Sequence, residues 1–90
     1  MALLSETEIQ QELKALHGWE WEGDSIQKQY SFGSFAEAMA FANRVAGLAE
    51  AQNHHPDILI SYSKVTLTTS SHDAGGLTAR DFRLARAVDA

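Results

Sequence analysis

The sequence predicts an α+β fold: a four-stranded antiparallel sheet with three helices packed on one face, in the order α-β-β-α-β-β-α. Three observations lead there. The same helix-start signal recurs three times, as Ser5 with Glu8, Ser34 with Glu37, and Thr78 with Asp81. In each, a hydroxyl and a carboxylate three residues apart can satisfy each other's backbone amides. Between these starts lie two pairs of short runs that alternate apolar and polar residues, as strands of half-buried hairpins do. Finally, 90 residues leave room for one domain, spanning 1–90.

The first helix starts at Ser5, with Leu4 and Ile9 placed as a hydrophobic staple. Ile9, Leu13 and Leu16 continue one apolar stripe, and Gly18 is expected to close the helix after His17. A hairpin follows: Trp19 to Glu22, a turn at Gly23-Asp24, then Ser25 to Phe32. Ile26, Lys28, Tyr30 and Phe32 share one side of its second strand. The middle helix runs from Phe35 to Gln52 and carries small residues all round, among them Ala36, Ala40, Ala46 and Ala51. A helix apolar on more than one face is buried on more than one face. One face is therefore expected on the sheet and another on a neighbouring subunit. Ile58, Ile60 and Tyr62 alternate in the third strand, and Val65, Leu67 and Thr69 in the fourth. A two-residue turn at Ser63-Lys64 is expected to join them. The last helix opens at Thr78, stapled by Leu77 and Phe82, and runs toward Val88.

Composition narrows the function. With 44% hydrophobic and 21% charged residues the chain has the profile of a folded domain, which excludes a disordered tail. A domain this short buries only about 60% of its unfolded surface. With no cysteine there is no disulfide to stiffen it and no thiolate chemistry, so self-association is the expected extra source of stability. The net charge of −5 has the wrong sign for wrapping a nucleic-acid backbone. No apolar run approaches the ~18 residues of a membrane span, and no basic-then-apolar leader opens the chain. The expectation is a cytoplasmic domain with no nucleic-acid or membrane partner.

Three of the four histidines flank the second hairpin. His54 and His55 precede Pro56, which biases His55 toward an extended conformation, so the two rings should diverge. His72 stands at the end of the fourth strand. The start of one hairpin strand and the end of the next are neighbours, so the three imidazoles can gather at one end of the sheet. Imidazole gives or takes a proton near neutral pH. Two of them on opposite sides of a small substrate supply what a dehydration or isomerisation needs. Glu50, one helical turn before His54, is placed to orient it or to bind a polar ligand. Asp81 reads first as the capping partner of Thr78, and second as a ligand contact. A metal site is disfavoured, because adjacent histidines in an extended stretch converge poorly on one ion. Gly75-Gly76 matches no phosphate-binding glycine loop, and no GxSxG elbow supports a nucleophilic serine at Ser70 or Ser71. Arg80, Arg83 and Arg86 form a stripe on the last helix. It reads first as a solvated face, with contact to an acidic partner as the alternative.

Taken together, Glu50-Ala-Gln-Asn-His54-His55-Pro56-Asp57, Tyr62-Ser-Lys64-Val65, Ser71-His72-Asp73, Gly76-Leu77-Thr78 and Asp81 resemble the signature of the pterin-4a-carbinolamine dehydratases. The resemblance covers nearly the whole chain in element order and length. It implies dehydration of 4a-hydroxytetrahydropterin to quinonoid dihydropterin, a 4a-hydroxytetrahydrobiopterin dehydratase (hydro-lyase) activity that recycles the cofactor of aromatic amino acid hydroxylases. That reaction uses no metal or organic cofactor. By the same resemblance His54 and His72 would be the acid–base pair. His55 would hold the pterin and share in proton transfer, Glu50 and Asp81 would be polar supports, and the backbone near Ser70-Ser71 would pair with the pterin edge. A homodimer or homotetramer, joined through sheet edges and the 35–52 helix, is also implied. Some relatives are dimerisation cofactors of transcription factors, so a non-catalytic dimerisation or pterin-binding module is the alternative. Ile58 stands where the family often has tryptophan, Ser63 where asparagine is usual, and Ser71 where threonine is usual.

Overall fold

The computed structural model describes residues 2–90. In chain order the elements are α1 (Glu6–Lys14), β1 (Glu20–Glu22), β2 (Ser25–Ser31), α2 (Phe35–Gln52), β3 (Asp57–Ser61), β4 (Lys64–Thr69) and α3 (Ala79–Asp89). The strands form one antiparallel sheet in the order β1-β2-β4-β3, so the two hairpins join by pairing β2 with β4. The helices cover one face.

Helix starts follow the capping chemistry. Ser5 Oγ accepts the Glu8 amide at 3.2 Å while Glu8 Oε1 accepts the Ser5 amide at 2.8 Å. Thr78 and Asp81 close the same reciprocal box at α3. At α2 only half of it forms. Ser34 Oγ accepts the Glu37 amide, but the Glu37 carboxylate reaches one residue further back, to the Gly33 amide at 2.9 Å.

Two boundaries differ from expectation. α1 ends at Lys14 rather than His17, because the amides of Ala15 and Leu16 bond three residues back, to Glu12 and Leu13. This tighter turn keeps Leu16 against the core, and Gly18 at φ +82° then redirects the chain into β1. The second hairpin turns at Tyr62-Ser63 rather than Ser63-Lys64, with Ser61 paired to Lys64. That register keeps Ile58 and Ile60 on the helix side, opposite Leu67 and Val65. Tyr62 consequently takes φ +52°, a left-handed conformation that costs a non-glycine residue about 1–2 kcal/mol. Its side chain is 72% exposed, so little packing offsets that cost. Tyr62→Asn, a residue that tolerates this region, is expected to raise stability by roughly 0.5–1 kcal/mol, read as a higher urea midpoint at unchanged slope.

The core lies between sheet and helices. Ile26, Val65 and Leu67 from the strands meet Val45 of α2 and Phe82, Leu84, Ala85 and Val88 of α3, all 4% exposed or less. Gln29, Ser31, Leu59 and Lys64 point to the opposite face and are exposed, as a period of two dictates for a sheet covered on one side. α2 buries Ala38, Ala42, Val45 and Ala49, whereas Phe35, Ala36, Ala40 and Gly47 are exposed. The Arg44 guanidinium donates to the carbonyl of Val88 at 3.0 Å, satisfying the negative end of α3.

Asp89, the last residue of α3, ties that helix to the first hairpin. Its carboxylate accepts from Trp19 Nε1 at 2.8 Å, Tyr30 Oη at 2.5 Å and Lys28 Nζ at 3.2 Å. Partial burial pushes its pKa up, but these donors and the Lys28 charge outweigh it and hold the carboxyl below its ordinary range. The same contact, after burial, holds the Tyr30 hydroxyl well above the ordinary tyrosine range. A depressed folded-state pKa contributes stability that is present above the unfolded value, about 3.9, and is lost as pH falls through the folded one. Asp89→Ala is therefore expected to cost about 2 kcal/mol at neutral pH. Its stability gap to the parent should close as denaturation is repeated progressively below about pH 4.

Candidate active site

The loop after α2 separates its two histidines. Asn53 takes φ +51°, a left-handed helix end that asparagine tolerates well, and the His54 amide bonds back to the Ala49 carbonyl at 3.0 Å. The reversal turns His54 inward, where it is 6% exposed, and leaves His55 on the outside.

His54 enters a buried polar node centred on Asp81. The Asp81 carboxylate is fully buried and meets four donors: His54 Nε2 at 2.6 Å, Thr69 Oγ1 at 2.8 Å, Ser71 Oγ at 2.9 Å and the Thr78 amide at 3.0 Å. Thr69, Ser71 and Thr78 all donate to this carboxylate, and the network assigns His54 Nε2 as its fourth donor. The node links the α2–β3 loop, the end of β4 and the start of α3. Asp81 thus serves as capping partner, and its oxygens are used up inside the protein. A direct contact between Asp81 and a ligand does not fit this burial.

Strand alternation divides the end of β4 between two faces. Thr69 and Ser71 point in, toward Asp81. Thr68, Ser70 and His72 point out. On the outer side they line a cavity of about 170 Å³ together with Asp24, Ser25, His55 and Asp57. The β1–β2 turn, the start of β3 and the end of β4 meet here. His55 Nε2 lies 2.6 Å from Glu50 Oε2, so Glu50 orients His55 and not His54. Among the described residues no hydrogen bond ties the His72 ring. Next to it, Arg80 donates to both oxygens of Asp73 at 2.8 and 3.0 Å and holds that carboxyl below its ordinary range. Ser70 Oγ donates to the Asp24 carbonyl at 2.8 Å, joining the two hairpins at the cavity wall.

The structure therefore brings His55, His72 and Ser70 to one cavity, with Glu50 behind His55. His54 and Asp81 lie together in the interior. Ser71 is not available to a ligand edge: its side chain serves Asp81 and Thr78, while its amide and carbonyl bond Gly76 across a tight turn. Asp24, Ser25, Asp57 and Thr68 are lining residues that the sequence reading missed. The period of β4 was the signal for Thr68, since it shares a side with Ser70 and His72. Asp24 and Ser25 needed the β2–β4 pairing. Among the described residues no three His, Asp or Glu side chains converge as a metal site. The two larger cavities, of about 400 and 560 Å³, hold no pair of imidazoles.

Two imidazoles face one small cavity at a sheet end of this α+β domain, His55 bonded to a carboxylate and His72 untied. A family model described as Pterin 4 alpha carbinolamine dehydratase matches residues 2–90. A protein of Koribacter versatilis that carries the pterin-4-alpha-carbinolamine dehydratase name is 52% identical over 82 residues, 91% of this chain and 87% of its own. One of Sulfurisphaera tokodaii with that name is 44% identical over 89 residues, 99% and 96% of the two chains. Among solved structures, a transcriptional coactivator/pterin dehydratase from Brucella melitensis superposes with a TM-score of 0.93 at 31% identity, over 98% of this chain and 96% of that one. A pterin dehydratase-like protein identified as a RuBisCO assembly factor in the alpha-carboxysome gives 0.68 at 29%, over 81% and 87%. The chain belongs to the pterin-4a-carbinolamine dehydratase family.

Proposed function

We propose that this protein dehydrates 4a-hydroxytetrahydropterins, and that the proton carriers facing the substrate are His55 and His72. The observation that carries this is their convergence on one cavity, with the His72 ring untied. One imidazolium donates its proton to the departing 4a-hydroxyl, which leaves as water. The other imidazole, neutral, takes the N5 proton as the C4a–O bond breaks, and quinonoid dihydropterin results. Each ring ends in the other's starting state, so exchange with solvent resets the pair. Positioned acid–base groups of this kind contribute typically about 10²–10⁴-fold. Family resemblance pairs His54 with His72 instead, but the hydrogen bond to Asp81 and the burial of His54 favour a positioning role that fixes the loop carrying His55.

The cavity is smaller than the roughly 300–1,000 Å³ of most small-molecule sites, so a bicyclic pterin extends beyond it. The β3 edge and the exposed apolar face of α2, with Phe35 51% exposed, are the surfaces through which we propose that subunits assemble. That exposed face also favours a second reading, a non-catalytic assembly module on the same fold. No helix among the described residues is long and apolar enough to cross a membrane.

The deciding experiment is rapid-mixing absorbance on freshly generated 4a-hydroxytetrahydropterin, with the spontaneous rate subtracted. Acceleration by the folded protein is the expected result. A rate equal to the uncatalysed one would leave the assembly module as the better reading.

A further inference from the structure

The arginines of α3 face solvent and also share a groove. Arg80, Arg83 and Arg86 line one groove of about 560 Å³ with Ala2, Leu4 and Ala79. Its wall is built in, because the Leu4 amide bonds the Leu77 carbonyl at 2.9 Å and so fastens the N-terminal arm beside the start of α3. The two end arginines hold exposed carboxylates: Arg80 that of Asp73, and Arg86 that of Glu12 at 2.5 Å. Surface ion pairs of this kind are weak and exchange for a better partner. Arg83, between them, is exposed and has no acceptor among the described residues. A chain of net charge −5 thus gathers three of its seven Lys and Arg residues along one apolar-floored groove.

We propose that this groove binds an extended acidic segment of a partner protein, its carboxylates on the arginines and an apolar side chain over Leu4 and Ala79. Charge complementarity selects acidic residues, and the floor selects a segment that also carries apolar ones. Spacing selects a chain over a small anion. Arg80 and Arg86 stand about 9 Å apart along the helix axis, at ~1.5 Å per residue. Three residues of extended chain, at about 3.3 Å each, span that distance, and a single carboxylate or phosphate does not. Nucleic acid fits poorly, since the rest of the molecule is acidic and repels it. The groove lies outside the histidine cavity and shares no lining residue with it.

The test is fluorescence anisotropy of the full chain with a fluorescein-labelled peptide that repeats Glu-Leu-Glu, against a Lys-Leu-Lys control. Saturable binding is expected for the acidic peptide alone. It should weaken at least about tenfold in Arg83→Glu, and amide shift changes should fall on residues 2–4 and 79–87. Arg83→Glu should leave dehydration unchanged. Absence of saturable binding overturns the proposal, as does equal affinity in Arg83→Glu. Full competition by inorganic phosphate, or equal binding of oligo-dT, overturns it too, by showing a general anion site.

Discussion

Replacing both cavity histidines, by His55→Ala with His72→Ala, is expected to remove most of the acceleration of 4a-hydroxytetrahydropterin dehydration, about 10²-fold or more. The fold should persist. Both rings are exposed and neither sits in the core, and surface substitutions away from special features usually stay within about 0.5 kcal/mol. The single variants divide the work. His72→Ala loses a ring with no other task in the structure, so its effect reads directly as lost proton transfer. His55→Ala also releases Glu50, and Glu50→Gln should reproduce the orienting part of that loss with a smaller fall in rate. His54→Gln is the counter-test, because a glutamine amide can keep a donor on Asp81 while carrying no titratable proton, so fold and rate should both largely persist. A fully folded and inactive His54→Gln beside an active His55→Ala, His72→Ala double variant would return the chemistry to His54. Rates should be measured net of the spontaneous reaction at each pH, since both the buffer and the proton carriers respond to it.

Asp81→Ala should be among the most destabilising single changes in the chain. It leaves four donors without their acceptor in the interior, and one of them is the ring of His54. Each buried donor left without its acceptor costs about 1–3 kcal/mol, so stranding these four together costs about 3 kcal/mol or more. In a domain of this size each kcal/mol moves the melting midpoint by roughly 4–8 °C, so a fall of about 12 °C or more is expected. Asp81→Asn keeps one acceptor oxygen and should lose less, because an amide still meets part of the donor set but adds two donors of its own. Protein concentration has to be held constant, since any self-association makes the midpoint depend on it. Activity should fall with stability in both variants, because the loop bearing His55 and the strand end bearing His72 are fastened through this one carboxylate. A melting midpoint unchanged in Asp81→Ala would show that the node does not hold these segments together.

Much of the fold was legible in the residues themselves. Helix starts were legible because capping is local: Ser5, Ser34 and Thr78 each act on amides within three residues. Strands were legible from period-two alternation, and hairpin geometry brought His55 and His72 to one sheet end, whereas His54, expected with them, lies inside on Asp81. Two boundaries were not legible, for a tertiary reason. Packing Leu16 against the core ended α1 early, and keeping Ile58 and Ile60 on the core side forced the hairpin turn onto Tyr62 against its own backbone preference. Which histidine faces which way was likewise decided by the tertiary structure. Glu50 was placed one turn from His54 by helix arithmetic, but the left-handed Asn53 broke that arithmetic and delivered Glu50 to His55. Asp81 was visible only as a local cap. Its second role required α3 to dock beside the end of β4, where the buried Thr69, Ser71 and His54 all bond to it. Local chemistry chose the elements, and long-range burial of apolar and polar groups chose which side each functional residue would serve.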